Sequence, residues 1–364
     1  MRLPARVGHV VAVVASLSLV GWTAAPAAAD SVRERQWHLS ALKISEAHQA
    51  TRGAGITVAL IDSGVDTQHR DLTGAILPGK DFESSDGDGR EDLIGHGTNL
   101  AGIIAGRGHG EGSGVLGVAP AAKIIPIRVA FDSFVSGTQV VDAIEFAADH
   151  GAQVINMSFS KSDDPVIREA IRAAQAKDIV VIAGAGNRDD GGDHYPGRYP
   201  EVLSVGAVDR SGKIGDFSVT GPHVDLVAPG VDICTTGIND SGYVVADGTS
   251  HATAVVSGAA ALVRAEYPEL SAAEVVHRLT ATAVDSGARG RDDVYGYGRL
   301  DLVKALTADV PALPKTVATS AVPERVPGAG AESKRVSPIV LASGLAAVVL
   351  LLGGVVVVLM IRRR

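Results

Sequence analysis

The 364-residue chain is predicted to be an α/β protein, a doubly wound and mostly parallel sheet with helices on both faces. Three observations lead there: apolar runs of strand length alternate with helix-length amphipathic segments, the connections are short and glycine-rich, and no internal repeat is present. The expected strands are Ile56–Ile61, Lys123–Val129, Gln153–Met157, Ile179–Ala183, Val202–Val208 and Asp225–Val227. Most are continuously apolar, as strands covered on both faces must be. The expected helices between them are Thr138–His150, Asp164–Ala176 and Ser250–Glu266. Val140, Val141, Ile144 and Ala148 place one apolar face on the first, and Ser271-Ala272-Ala273-Glu274 is a capping-box start for another helix ending near Thr282. Strand–helix–strand order implies parallel crossovers, so the glycine-rich turns gather reacting groups at the carboxyl edge of the sheet.

The two ends have a different character. Arg2 and Arg6 precede an apolar stretch, Val10–Val20, and then Pro26-Ala27-Ala28-Ala29. A basic region, a short apolar core and a small-residue cleavage site make residues 1–29 an export signal. Ile339–Ile361 carries no charge and precedes Arg362-Arg363-Arg364. As a helix it is about 34 Å long, enough to cross a hydrocarbon core of roughly 30 Å. The arginines belong on the cytoplasmic side, leaving the bulk of the chain outside the cell membrane. Residues 308–338, with five prolines, read as a linker, 30–50 as a short N-terminal extension, and 51–307 as one large domain. The net charge of −8 and the lack of a basic block before the tail argue against nucleic acid as a partner. Cys234 is the only cysteine, so no intramolecular disulfide can form and stability rests on packing.

Three short runs carry the chemistry: Ile61-Asp62-Ser63-Gly64, Gly95-His96-Gly97-Thr98 and Gly248-Thr249-Ser250-His251-Ala252-Thr253. A hydroxyl is a poor nucleophile at neutral pH and needs a base; the base needs a carboxylate to fix its tautomer and stabilise the imidazolium. Asp62 ends an apolar run that delivers it to the carboxyl edge of a sheet, while His96 and Ser250 each open a small-residue segment of helical character, Leu100–Ala105 and Ala252–Val263. Asp62, His96 and Ser250 are therefore the expected catalytic residues.

An Asp, a His and a Ser in that order, each among small residues, resemble the subtilisin-type serine proteases, from about Trp37 to Leu306. More narrowly the chain is similar to the mycosins, the membrane-anchored subtilases of actinobacterial type VII secretion. The shared features are Trp37-His38-Leu39, Thr51-Arg52-Gly53-Ala54-Gly55, Val154-Ile155-Asn156-Met157-Ser158, the signal, the proline-rich linker and the terminal anchor. The resemblance implies that Asn187, in Gly184-Ala185-Gly186-Asn187, donates its side-chain amide to the oxyanion. It also implies that Ser158-Phe159-Ser160 pairs with substrate and lines the first specificity pocket, with Gly184 and Ala185 opposite. Ser160 replaces a glycine common in subtilisins and narrows that pocket. The chain departs from the family pattern at His251, at Asn99 and at Ala254, which stands where proline is usual. Mycosins also usually carry disulfides. No folding prodomain of several tens of residues fits between the signal and the first strand, and the short lead-in is expected to pack on the domain.

Calcium is the one cofactor candidate. Asp81–Gly89 is an acidic loop and Asp71 matches a calcium-ligating position in some subtilisins, but the loop lacks EF-hand spacing. The expectation is no cofactor. The function expected is a membrane-anchored extracytoplasmic serine endopeptidase acting on proteins or peptides, associated with a type VII secretion complex. The alternative is a structural subunit of such a complex, in which catalysis is secondary.

Overall fold

A computed structural model describes residues 30–110, 112–129, 136–239 and 242–313. The predicted signal peptide, most of the linker and the predicted membrane span lie outside them. Among the described residues no helix is long and apolar enough to cross a membrane.

Three short helices, α1 (Asp30–Arg35), α2 (Trp37–Ala41) and α3 (Ile44–Ala50), lead into β1 (Thr57–Asp62). There follow β2 (Lys80–Asp81), α4 (His96–Ala105), β3 (Arg107–His109), β4 (Ser113–Leu116), β5 (Lys123–Arg128), α5 (Gly137–Asp149), β6 (Val154–Met157), α6 (Pro165–Ala176) and β7 (Val180–Gly184). The chain continues through β8 (Leu203–Val208), β9 (Leu226–Pro229), β10 (Ile233–Thr236), β11 (Tyr243–Ala246), α7 (Thr249–Glu266), α8 (Ala272–Ala281) and α9 (Leu302–Thr307).

Seven strands form one sheet in the order β2-β5-β1-β6-β7-β8-β9, with every neighbouring pair parallel. Side chains on a strand alternate between faces. Accordingly Val58 and Leu60 of β1 join the core beneath α4 and α7, while Ala59 and Ile61 join the core beneath α5 and α6. The sheet is thus doubly covered, as its apolar strands require. From β1 the chain goes to β2 and β5 on one side and later to β6 on the other, so β1 lies at the topological switch point, where open α/β sheets bind ligands. Asp62 is the last residue of β1.

The helix α7 is buried almost all round, and only small residues allow it. Gly258 has the Val118 side chain so close that an added Cβ would come within 2.6 Å of it. Alanines 252, 254 and 259–261 are fully buried along its length. The capping box expected at Ser271 forms: the Ser271 N–H donates to Glu274 Oε2 at 2.9 Å, and the Glu274 N–H donates to Ser271 Oγ at 3.3 Å. Asp164 caps α6 through the Val166 N–H at 3.0 Å.

The N-terminal extension packs on the domain. The Trp37 indole N–H donates to the Val231 carbonyl at 3.0 Å, and Gln36 exchanges two hydrogen bonds with the Leu116 backbone. At the other end Arg278 donates to the Ala308 carbonyl at a short distance and the His277 ring meets the Pro311 carbonyl at 3.2 Å. The antiparallel pairs β3–β4 and β10–β11 and the short β2 are additions to the sequence expectation. Cys234 is a free thiol, fully buried on β10.

Candidate active site

Asp62 is fully buried, and its carboxylate faces the ring of His96, the first residue of α4. His96 Nδ1 lies 2.8 Å from Asp62 Oδ1 and 3.0 Å from Oδ2, while the Ser63 N–H donates to the same Oδ1 at 2.8 Å. A carboxylate at Nδ1 fixes the tautomer with the proton on that nitrogen and leaves Nε2 as the basic atom. Burial, the largest single influence on His96, pulls its pKa down. The charge and hydrogen bond of Asp62, with the charges of Asp92 and Asp190, outweigh burial and leave the pKa above its ordinary value.

Asp92 holds the start of α4 in place and was not singled out from the sequence. Its Oδ1 accepts from the Ile94 and Gly95 amides at 3.0 and 2.8 Å, and its Oδ2 accepts from the amide and hydroxyl of Thr98 at 2.9 and 2.7 Å. Ser63 closes the network, accepting from the Gly97 N–H at 2.9 Å and donating to Asp92 Oδ1 at 3.0 Å. A buried carboxylate at a helix N-terminus satisfies amides that no helical carbonyl can reach. The signal available in the sequence was an acidic residue four positions before His96. Gly97 is required for close approach: a Cβ there would meet the Gly64 carbonyl oxygen at 2.1 Å.

Ser250 is the second residue of α7 and lies with His96 in a cleft of about 860 Å³, lined also by Ser158, Phe159, Ser160 and Asn187. Ser250 Oγ is 3.4 Å from the Ser158 carbonyl, and its own amide stands in the first turn of α7, where no preceding helical carbonyl accepts it. Asn187 is fixed from behind, since its Oδ1 accepts from both the N–H and the hydroxyl of Thr249 at 3.1 Å. This leaves Nδ2 as the end of the amide turned away from Thr249, donating to Asp190 Oδ2 at 2.9 Å.

The wall at Ser158–Ser160 follows β6 directly. The Ser158 hydroxyl is tied to Asn156 Oδ1 at 2.9 Å, whereas the Ser160 amide and carbonyl make no hydrogen bond among the described residues. Gly184 ends β7 and Ala185 follows it, on the far side of Asn187 from Ser250 in sequence. The Ala185 side chain is fully buried against Val208, Val224 and Val227, and its N–H donates to the Val205 carbonyl. A Cβ at Gly184 would lie 2.9 Å from the Thr249 hydroxyl oxygen, so this glycine gives room to the residue that orients Asn187.

Three of the calcium candidates are held by protein groups. Asp81 and Glu83 pair with the Arg128 guanidinium at 3.2 and 3.0 Å, and Asp71 accepts from His109 Nδ1 at 2.5 Å and from the Val115 N–H at 2.7 Å. Among the described residues no group of three or more His, Cys, Asp or Glu is placed to hold a metal ion.

Residues 53–298 match the model of the subtilase family, peptidase S8. The chain belongs to the subtilase family. Subtilases are serine endopeptidases, and that is the class of this enzyme. Mycosin-3 of Mycobacterium tuberculosis is 36% identical over 387 residues, covering 89% of this chain and 83% of that protein. A crystal structure of MycP1 with its N-terminal propeptide removed superposes with a TM-score of 0.69 at 33% identity, covering 76% of this subtilase and 98% of the crystallised chain. A chain in the periplasmic assembly from the ESX-5 inner membrane complex matches with a TM-score of 0.69 at 31% identity, over 81% of this chain and 90% of that one. The subtilase is thus related to the mycosins of type VII secretion systems.

Proposed function

We propose that this subtilase is a membrane-anchored extracytoplasmic endopeptidase that cuts peptide bonds with the triad Asp62, His96 and Ser250. The observation that carries the reading is the 2.8 Å contact between Asp62 and His96 Nδ1, with His96, Ser250 and Asn187 along one cleft. Ser250 Oγ attacks the substrate carbonyl carbon while His96 Nε2 takes its proton, and Asp62 stabilises the resulting imidazolium. Negative charge on the carbonyl oxygen is met by Asn187 Nδ2 and the Ser250 amide, at the positive end of α7. His96 then protonates the leaving amine, the acyl-enzyme forms, and water repeats the sequence to release the acid.

Substrate lies as an added strand along Ser158–Ser160, where the unengaged Ser160 amide and carbonyl offer an edge to an extended peptide. Ser160, at the rim of the cleft, sets the width of the first specificity pocket. Residues 339–361 anchor the enzyme, with the basic tail in the cytoplasm. No cofactor takes part in this chemistry. Partition of the full chain with membranes through a carbonate wash tests the anchor; release by that wash would remove it from the proposal.

A second reading, a structural subunit of a type VII secretion complex in which catalysis is secondary, draws on the likeness to the ESX-5 assembly. A deletion strain complemented with a Ser250→Ala copy separates the two. Secretion that stays lost requires catalysis, and secretion restored by the inactive copy assigns the essential role to the fold.

A further inference from the structure

The donor end of Asn187 already carries an anion. Asp190 Oδ2 accepts from Asn187 Nδ2 at 2.9 Å and from the Asn187 N–H at 3.2 Å, and the Asp190 N–H donates back to the Asn187 carbonyl at 3.1 Å. An amide nitrogen has two hydrogens, so one remains for another acceptor. Even so, a carboxylate this close to the nitrogen sets negative charge beside the place where negative charge must develop in the transition state. Asp190 must swing away or be neutralised before Asn187 acts at full strength. The exposed turn that carries it continues into Gly191 and Gly192, both at positive φ (65° and 81°), and among the described residues Asp190 forms no ion pair.

The cleft indicates what neutralises it. Asp163, Asp164 and Asp247 line it together with Asp190, against one Lys or Arg among the described residues, Lys161. The other three carboxylates are also satisfied by neutral donors: the Tyr199 hydroxyl at 3.0 Å from Asp163, the Val166 N–H at 3.0 Å from Asp164, and the Asp232 N–H on Asp247 at 2.6 Å. From these contacts we infer that Asp190 is an anionic gate on the oxyanion donor Asn187, opened by a cationic side chain of the substrate peptide. Pairing of a substrate lysine or arginine with Asp190 draws the carboxylate off the amide, so cationic peptides gain in kcat and not only in KM. The inference rests on the assignment of Asn187 and Ser250 proposed above.

The test uses the full chain in detergent and a pair of internally quenched peptides that differ only by Lys or Gln at a residue flanking the cut. The wild type should turn over the Lys peptide several-fold faster in kcat. Asp190→Ala should raise kcat on the Gln peptide about tenfold, short of the 10²–10³ that one oxyanion donor supplies. It should also erase the kcat difference between the peptides, leaving any residual preference in KM. Asp190→Asn, which keeps the turn's acceptor without the charge, should move in the same direction, and it replaces the alanine variant if that one does not fold. A peptide aldehyde, whose hemiacetal oxyanion uses the same donor, should bind Asp190→Ala more tightly. A kcat that is unchanged or lowered by both substitutions, or a Lys advantage in kcat that survives them, overturns the gate. Ser250→Ala is run alongside. Loss of hydrolysis in that variant with a silent Asp190→Ala defeats the gate alone, whereas hydrolysis retained by Ser250→Ala defeats the assignment beneath it.

Discussion

Thr249 holds Asn187 by two hydrogen bonds to one oxygen, from its amide and from its hydroxyl, both at 3.1 Å. Thr249 immediately precedes Ser250, so the residue that orients Asn187, the proposed oxyanion donor, is covalently joined to the proposed nucleophile. An amide held at its oxygen cannot flip, and the choice of which end faces the cleft is made before substrate arrives. Thr249→Val keeps the shape and the backbone N–H but loses the hydroxyl donor. The expected result is a kcat lower by about tenfold with KM little changed, short of the 10²–10³ lost when such a donor is deleted. Steady-state kinetics on one peptide checks it, and an unchanged kcat would leave Thr249 without that role.

His96 must be neutral to accept a proton. Burial lowers its pKa, but Asp62, Asp92 and Asp190 together raise it above the ordinary 6.5. Activity should therefore be lost on acidification with a midpoint above 6.5. A raised pKa means that protonation of His96 stabilises the folded state below 6.5, and that this contribution fades as pH rises through the folded value. The fold should persist through the loss of activity. A pH–rate profile run with circular dichroism decides it: a midpoint well below 6.5, or a loss that tracks unfolding, contradicts the assignment.

His38 and His251 behave in the opposite way. Both rings are buried with no hydrogen-bond partner on either nitrogen among the described residues, and burial lowers their pKa values to about 4 and about 3, with the charge of His96 adding to the effect at His251. The unfolded chain takes up protons below about 6.5 while the folded chain holds these rings neutral, so their stabilising effect is whole above that pH and is lost as pH falls towards 3. His251→Met places an unbranched apolar side chain in the site. Relative to wild type it should be more stable at pH 5 than at pH 7.5 by on the order of 2 kcal/mol, a comparison in which the contribution of His96 cancels. Thermal unfolding at the two pH values measures it, and an equal effect at both would show that the ring does not titrate across folding.

Asp62→Asn preserves volume and burial but offers His96 Nδ1 an amide, which no longer selects the tautomer with its proton on Nδ1. A fall in kcat of about 10⁴ with unchanged melting temperature is expected. A fall of less than tenfold would mean that Asp62 does not orient the base.

Much of the candidate site is legible in the sequence because its parts are local. A carboxylate after an apolar strand and a serine before a small-residue helix announce their positions in sequence, and the parallel sheet carries them to one edge. The alternation of Val58 and Leu60 against Ala59 and Ile61 likewise follows from strand periodicity. What was not legible depends on contacts distant in sequence or on polar residues that serve equally well as turns. Thr249 reaches Asn187 across 62 positions, and the proposed gate at Asp190 looks in sequence like any Asp-Asp-Gly-Gly turn. The docking of Trp37 needs the carbonyls of Val231 and Asp232, which no local pattern exposes. The Ala185 side chain packs against Val208, Val224 and Val227, partners 23 or more positions away that only the β7–β8 pairing at Gly184–Val205 brings near.

The central claim is that Ser250 is the nucleophile that His96 activates. Its most direct test is labelling of the full chain by a fluorophosphonate probe, read beside peptide turnover, in wild type and in Ser250→Ala. Loss of one hydroxyl from the first turn of α7 should leave the melting temperature within a degree or two, abolish labelling, and lower turnover by about 10⁶. Labelling of the alanine variant at the wild-type rate, with turnover intact, would contradict the account.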